Sequence, residues 1–203
     1  MQDVQETISP STPGLRERKR ADTHARIQSE AMRLFLERGF DATTLDDIAA
    51  SADVSRRTLF HYFASKEEIV LSTKADFPDQ VVAAINRRPA DEALLEMIEN
   101  AFTDMSAGHQ SAQGLALARL IRDTPSLSAG DNAKYERVER ALSAALAARK
   151  GLPETDVDCR VAAATAVALM KLTLSAWLEG DGDGPEVFGK AAFAALRRIT
   201  AKT

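Results

Sequence analysis

"LDDIAASADVSRRTLFHYFASKEEI", residues 45–69, folds two short helical patterns around a connection too brief to be a linker. Thr44-Leu45-Asp46-Asp47 reads as a capping box, the Thr hydroxyl meeting the first free amides and Asp47 answering three residues on. This second helix of the chain runs to about Ala52, and Asp53 and Val54 make the turn. Ser55 caps a third helix, Arg56 to about Tyr62. Ile48, Ala49, Val54 and Leu59 are apolar where the two helices would touch, and Ala49 is small enough for close approach. That is the pattern of a helix-turn-helix, in which one helix enters a major groove and its partner holds it at a steep angle.

Arg56, Arg57, Thr58 and His61 are left to point outward, beside the cap Ser55. Arginine donates bidentately to a guanine edge or to a phosphate. Tyr62 and Lys66 are expected beside the backbone, where contacts fix register rather than sequence. Thr43 or Thr44 would offer amides and a hydroxyl to a phosphate. Phe60 and Phe63 read as core.

Upstream, Ile27, Ala31, Leu34 and Phe35 recur as one apolar stripe, which predicts a first helix from Arg16 or Asp22 to Arg38. Gly39 fits the left-handed stop. Residues 1–14 are rich in Ser and Pro, lack periodicity and predict a disordered tail. Downstream, Ser65-Lys66-Glu67-Glu68 starts a fourth helix that Pro78 should end near Phe77. Further helices are expected to about Arg88, from an Asp91 cap to Gly108, over Ala112–Asp123, over about Asn132–Lys150, over Asp156–Glu179, and from Pro185 onward. Gly180 to Gly184 reads as a flexible connection. Alternating β-branched runs are missing, so the fold class is all-α.

The 203 residues are 45% hydrophobic and 28% charged, an ordinary globular composition. The net charge of −4 argues at first against nucleic acid, but the basic residues cluster. Arg16, Arg18, Lys19 and Arg20 stand against only Glu17, and Arg56, Arg57 and Lys66 add to them. From Ile69 onward there is no basic excess. Local clustering is what attracts phosphate, because fields are screened beyond about 8–10 Å. The lone Cys159 excludes an internal disulfide and fits a reducing cytoplasm. The first thirty residues hold no apolar stretch of signal-peptide length, and the run Val161–Met170 is too short to span a bilayer.

The stretch "LFLERGFDATTLDDIAASADVSRRTLFHYFASKEEIV" resembles the DNA-binding domain of the TetR family of bacterial regulators. The resemblance rests on Phe35, Gly39-Phe40, Thr43-Thr44, Ile48-Ala49, Val54-Ser55, Thr58-Leu59-Phe60, Tyr62-Phe63 and Ser65-Lys66-Glu67. Asp53 stands where the family usually has Gly, at a site that often needs φ > 0, which Asp tolerates better than most residues. The resemblance implies a homodimer on double-stranded palindromic DNA, with a helical sensing domain for a small-molecule effector. The organisation expected is a tail over 1–14, a helix-turn-helix domain over 15–64, and a ligand-sensing and dimerisation domain over 65–203.

In that last part, Val161–Met170 is apolar on every face, so the helix is expected to be enclosed. With Phe188, Ala191, Ala192, Ala195, Leu196 and Ile199 it would form half of a four-helix dimer bundle. Arg119 and Lys171 are lone cations on apolar helices, which need acidic partners or an anionic ligand. "ARLIRDTPSL" and "LMKLTLSAWLEG" resemble the C-terminal domain of the mycofactocin-type TetR subgroup, which is associated with acyl-CoA-like ligands. Met97, Phe102, Met105 and Trp177 are candidate walls of an acyl slot. No nucleophile, acid/base pair, metal cluster or phosphate loop is legible, so neither an enzyme nor a cofactor is expected. The expected function is a ligand-released repressor working in the bacterial cytoplasm and nucleoid. The alternatives are a constitutive DNA-binding protein with a vestigial pocket and a helical enzyme or carrier of apolar anions.

Overall fold

The computed structural model describes residues 14–106, 112–180 and 184–201. Residues 1–13 of the tail expected over 1–14, the stop at Gly108 and most of the glycine-rich connection after Gly180 lie outside them, whereas Gly14 caps α1. The described residues form ten helices: α1 Leu15–Arg38, α2 Leu45–Ser51, α3 Arg56–Tyr62, α4 Lys66–Ser72, α5 Phe77–Asn86, α6 Leu94–Ser106, α7 Ala112–Asp123, α8 Pro125–Lys150, α9 Val157–Glu179 and α10 Pro185–Thr200. The chain divides into two compact units, Met1–Lys66 and Glu67–Thr203.

The first unit is held by short-range hydrogen bonds around a small core. The backbone N–H of Gly14 donates to Glu17 Oε2 at 3.0 Å to open α1. Ile27, Ala31, Leu34 and Phe35 of α1 are buried, against Ile48, Ala49 and Leu59, all at most 5% exposed. Burying each large apolar side chain contributes about 1.5–3 kcal/mol, which short helices need because they are marginal alone. Gly39 stops α1 with φ +87 and ψ 157. That is a glycine-permitted conformation but not the left-handed helical well expected. Asp53 turns the chain at φ +49, as its place between the two helices requires.

In the second unit α5, α6, α8, α9 and α10 enclose one core, with Ile85, Met97, Leu142, Leu146 and Ala163 fully buried. Two boundaries differ from the sequence reading. Helix α4 stops at Ser72, and Pro78 is not its terminator but lies in the first turn of α5, where a missing N–H costs nothing. Helix α7 ends at Asp123 as expected, but α8 already begins at Pro125 rather than near Asn132. Gly130 lies inside that helix, where a Cβ would stand 2.5 Å from Leu71 Cδ1 of α4. Gly151 closes α8 at φ +66, and Asp156 caps α9 by accepting the N–H of Cys159 at 2.9 Å.

Helix α9 is not enclosed on every side within the chain. Ala162, Ala163, Ala166 and Val167 are buried, whereas Val157, Val161 and Leu172 are 60% or more exposed. By length and composition alone α9 could cross a membrane. One of its faces is instead committed to the core of the second unit.

Candidate nucleic-acid interface and internal cavity

The capping box before α2 forms as its spacing demands. Thr44 N donates to Asp47 Oδ2 at 2.9 Å, and Asp47 N donates to Thr44 Oγ1 at 3.1 Å. The hydroxyl and amide of Thr44 hold the Asp47 carboxyl below its usual range. Ser55 Oγ accepts the N–H of Thr58 at 3.0 Å and shares a hydrogen bond with its hydroxyl at 2.7 Å. These caps aim α3. Leu59 is fully buried beneath it, while Arg56, Arg57, Phe60 and His61 are exposed and Thr58 and Tyr62 are half-buried.

Arg56 Nη1 lies 3.2 Å from Asp46 Oδ2, a solvent-exposed pair worth little and easily exchanged. Its guanidinium also sits 5.7 Å from the centre of the Phe60 ring. Phe60, expected in the core, is 45% exposed, because Leu59 and Phe63 already occupy the inward positions of this turn. His61 meets Tyr62 edge-on at 5.4 Å. His24 of α1, which the sequence left without a role, packs on Phe63 at 4.6 Å and reaches the edge of Tyr62 at 6.3 Å.

Two candidate residues sit behind this face. Thr43 is 1% exposed and its hydroxyl donates to Gly39 O at 2.8 Å. Lys66 Nζ donates to Phe40 O at 2.8 Å and to Thr43 O at 3.4 Å, and stands 4.4 Å over the Phe40 ring. Both tie down the loop between α1 and α2.

The second unit contains a cavity of about 370 Å³, within the range of small-molecule sites. The candidates Phe102, Met105 and Trp177 line it, together with Phe77, Leu169 and Phe193. Met97, Arg119 and Lys171 do not. Met97 is fully buried on the opposite, core side of α6. Arg119 is exposed, its guanidinium 3.5 Å from Leu178 O. Lys171 is exposed, with its ammonium 4.7 Å from the Tyr135 ring. Long cationic chains on apolar helices extend their heads to water, so neither needed the buried partner the sequence suggested.

The cations at the cavity are others: Lys74, Lys134 and Lys190. Lys134 is 6% exposed and Asp131 7%, and Lys134 Nζ donates to both Asp131 oxygens at 2.8 and 2.9 Å. Burial pushes the Tyr135 phenol up to about 12. Sequence spacing did hold one signal: Asp131 and Lys134 are one helical turn apart, a pairing distance, at the start of the helix expected from about Asn132.

Residues 27–73 match the tetR family of bacterial regulatory proteins, and residues 88–201 match the MftR C-terminal domain. The chain belongs to the TetR family. It is 36% identical over 172 residues to the HTH-type transcriptional regulator TcmR of Streptomyces glaucescens, covering 78% of this chain and 76% of that one. Over 171 residues it is 28% identical to a protein of Mycobacterium tuberculosis named for mycofactocin biosynthesis regulation, MftR, covering 81% and 84%. A solved structure of the TetR-family repressor FadR of Thermus thermophilus, in complex with lauroyl-CoA, superposes with a TM-score of 0.57 at 22% identity, covering 89% and 96%. The chain is therefore a DNA-binding transcriptional regulator with an N-terminal helix-turn-helix and a C-terminal helical domain, and not an enzyme.

Proposed function

We propose that this regulator is a cytoplasmic homodimeric repressor that reads a palindromic operator with α3 and leaves it when a small molecule fills the cavity of the second unit. The observation that carries the reading is the pairing, in one chain, of an exposed basic α3 with a separate cavity walled by Phe102, Trp177 and Phe193. Arg56, Arg57, Thr58 and His61 are assigned to base edges, with Phe60 added to them as a partner for thymine methyls. Ser55, Thr44 and Tyr62 border the sugar-phosphate backbone, whereas Thr43 and Lys66 frame the motif from behind.

Dimerisation is supported by the outward stripe Val157, Val161 and Leu172 of α9 and by exposed Val187 and Ile199 of α10. Apolar surface repeated on two helices is the kind that a second copy covers. Two α3 helices in such a dimer must lie about 34–36 Å apart to meet successive major grooves. An effector dissociates the complex only if it binds the DNA-incompetent arrangement more tightly, since equal affinity for both shifts nothing. Acyl-CoA thioesters are the first effectors to test, because the FadR relative holds one and the cavity has an apolar wall for a chain.

Selection of operators from random DNA, followed by gel-shift titration with lauroyl-CoA and shorter thioesters, tests the reading. Operator affinity should fall as effector is added, and operator should weaken effector binding by the same factor. An operator bound with unchanged affinity across the effector series would instead favour a constitutive regulator.

A further inference from the structure

We infer that the cavity of the second unit selects an anionic apolar molecule through a positive pole built by Lys74 and Lys134. The inference rests on the cavity being the effector site and specifies what that site accepts. Its first support is the pairing of the charges in and beside the cavity wall. Asp131 is paired with Lys134, Glu99 is paired with Arg197, and Glu186 stands one turn from Lys190 on α10. Lys74, from the turn between α4 and α5, has no acid within hydrogen-bonding distance among the described residues, and Asp131 acts on it only at longer range.

The second support is position. Lys134 is buried on α8 and stands 5.8 Å from the Phe77 ring and 4.5 Å from the Tyr135 ring. Burial, and then the charge of Lys134, lower the pKa of Lys74. Two lysines in the wall of one cavity, of which only Lys134 is paired with a carboxylate, leave a positive excess that an anion relieves. A carboxylate, sulfonate or enolate on an aromatic or aliphatic body would place its charge between these lysines and its body against Phe102, Leu169 and Trp177. A CoA thioester carries its charge elsewhere, on nucleotide phosphates, so free acid and thioester are distinguishable sources of the same attraction.

The test uses the intact protein and two probes of one shape, 1-anilinonaphthalene-8-sulfonate and its neutral counterpart N-phenyl-1-naphthylamine, titrated by fluorescence. Wild type should bind the sulfonate about tenfold or more tightly than the neutral probe, the scale of a charge-assisted hydrogen bond. Lys74→Met should erase most of that preference without weakening the neutral probe, and Lys74→Arg should keep it. Ala118→Trp, which fills the cavity from α7, should abolish both. Decanoate should displace the sulfonate at lower concentration than decanamide; decanoyl-CoA doing so better than decanoate would assign the attraction to the nucleotide phosphates. Equal affinity for the two probes, or a sulfonate site insensitive to both Lys74→Met and Ala118→Trp, would overturn the inference. A charge preference that disappears in Lys74→Met while no anion alters operator affinity would uphold the pole and instead refute the effector reading.

Discussion

The two units solve the placement of functional side chains by opposite means. In Met1–Lys66, seven-residue helices are fixed by neighbours three residues away: Thr44 with Asp47, Ser55 with Thr58. A reading face then needs only exposure. In Glu67–Thr203, the cavity exists where side chains of six segments, far apart in sequence, converge. Membership there depends on how each helix is rotated, and rotation is decided by packing against partners. A surface built from local rules can be read locally; a concavity cannot.

The largest expected effect separates the inner and outer faces of α9. Ala166 is fully buried and Val161 is 60% exposed, though both lie in one apolar run. Ala166→Glu should destabilise the second unit by about 3–5 kcal/mol, the cost of an uncompensated buried charge, and lower the melting temperature sharply. Val161→Glu should leave the melt of the isolated chain nearly unchanged but shift sedimentation toward monomer. Equal melts for the two variants would break the assignment of faces.

A somewhat smaller loss is expected at the base of the reading face. Leu59 is fully buried, so Leu59→Ala should cost about 2–5 kcal/mol and abolish operator binding while the second unit retains its helicity. Loss of all helicity together, followed by circular dichroism, would mean that the two units do not melt independently.

These contrasts explain what the sequence made legible. The all-α class, the capping box, the Ser55 cap and the core positions Ile48, Ala49 and Leu59 follow from spacing that local hydrogen bonds and periodicity enforce. Pro78 does not end α4 but opens α5, and Pro125 opens α8 ahead of the start expected near Asn132, because proline both ends a helix and opens one, and only the neighbouring turns decide which. Phe60 was misread because α3 has room for few inward aromatics. Of the residues that line the cavity, Phe102, Met105 and Trp177 stood out in the sequence, whereas Lys74 and Lys134 did not. Lys74 falls in a turn and Lys134 pairs within its own helix, so neither stands out as an isolated cation. Arg119 and Lys171 did stand out, and their length lets them escape to solvent.

Within the reading face, Arg57→Ala should cost about 1–3 kcal/mol of operator affinity and relax preference at one base position. Arg56→Ala should give a similar loss at a different position, since its surface pair with Asp46 is weak enough to exchange for DNA. Gel-shift titrations across operators mutated one base at a time check both. A uniform loss across all of them would reassign these arginines to phosphate.

The smallest effect belongs to Lys66, and it distinguishes a contact from a frame. A lysine on phosphate reveals itself in salt: its removal releases about one fewer counterion and lowers the salt slope of binding by about one. Lys66 donates instead to Phe40 O and Thr43 O and covers the Phe40 ring. A charged group holding loop carbonyls contributes about 1–2 kcal/mol to folding, and its position fixes where α2 begins. Lys66→Met keeps the length of the stem and removes the donors. It should lower the melting temperature by a few degrees, as a loss of that size does in a small unit. Operator affinity should fall only as far as the folded fraction falls, with the salt slope of wild type. A Lys66→Met protein as stable as wild type but with a slope reduced by one would return this lysine to the DNA backbone and narrow the difference between the two units.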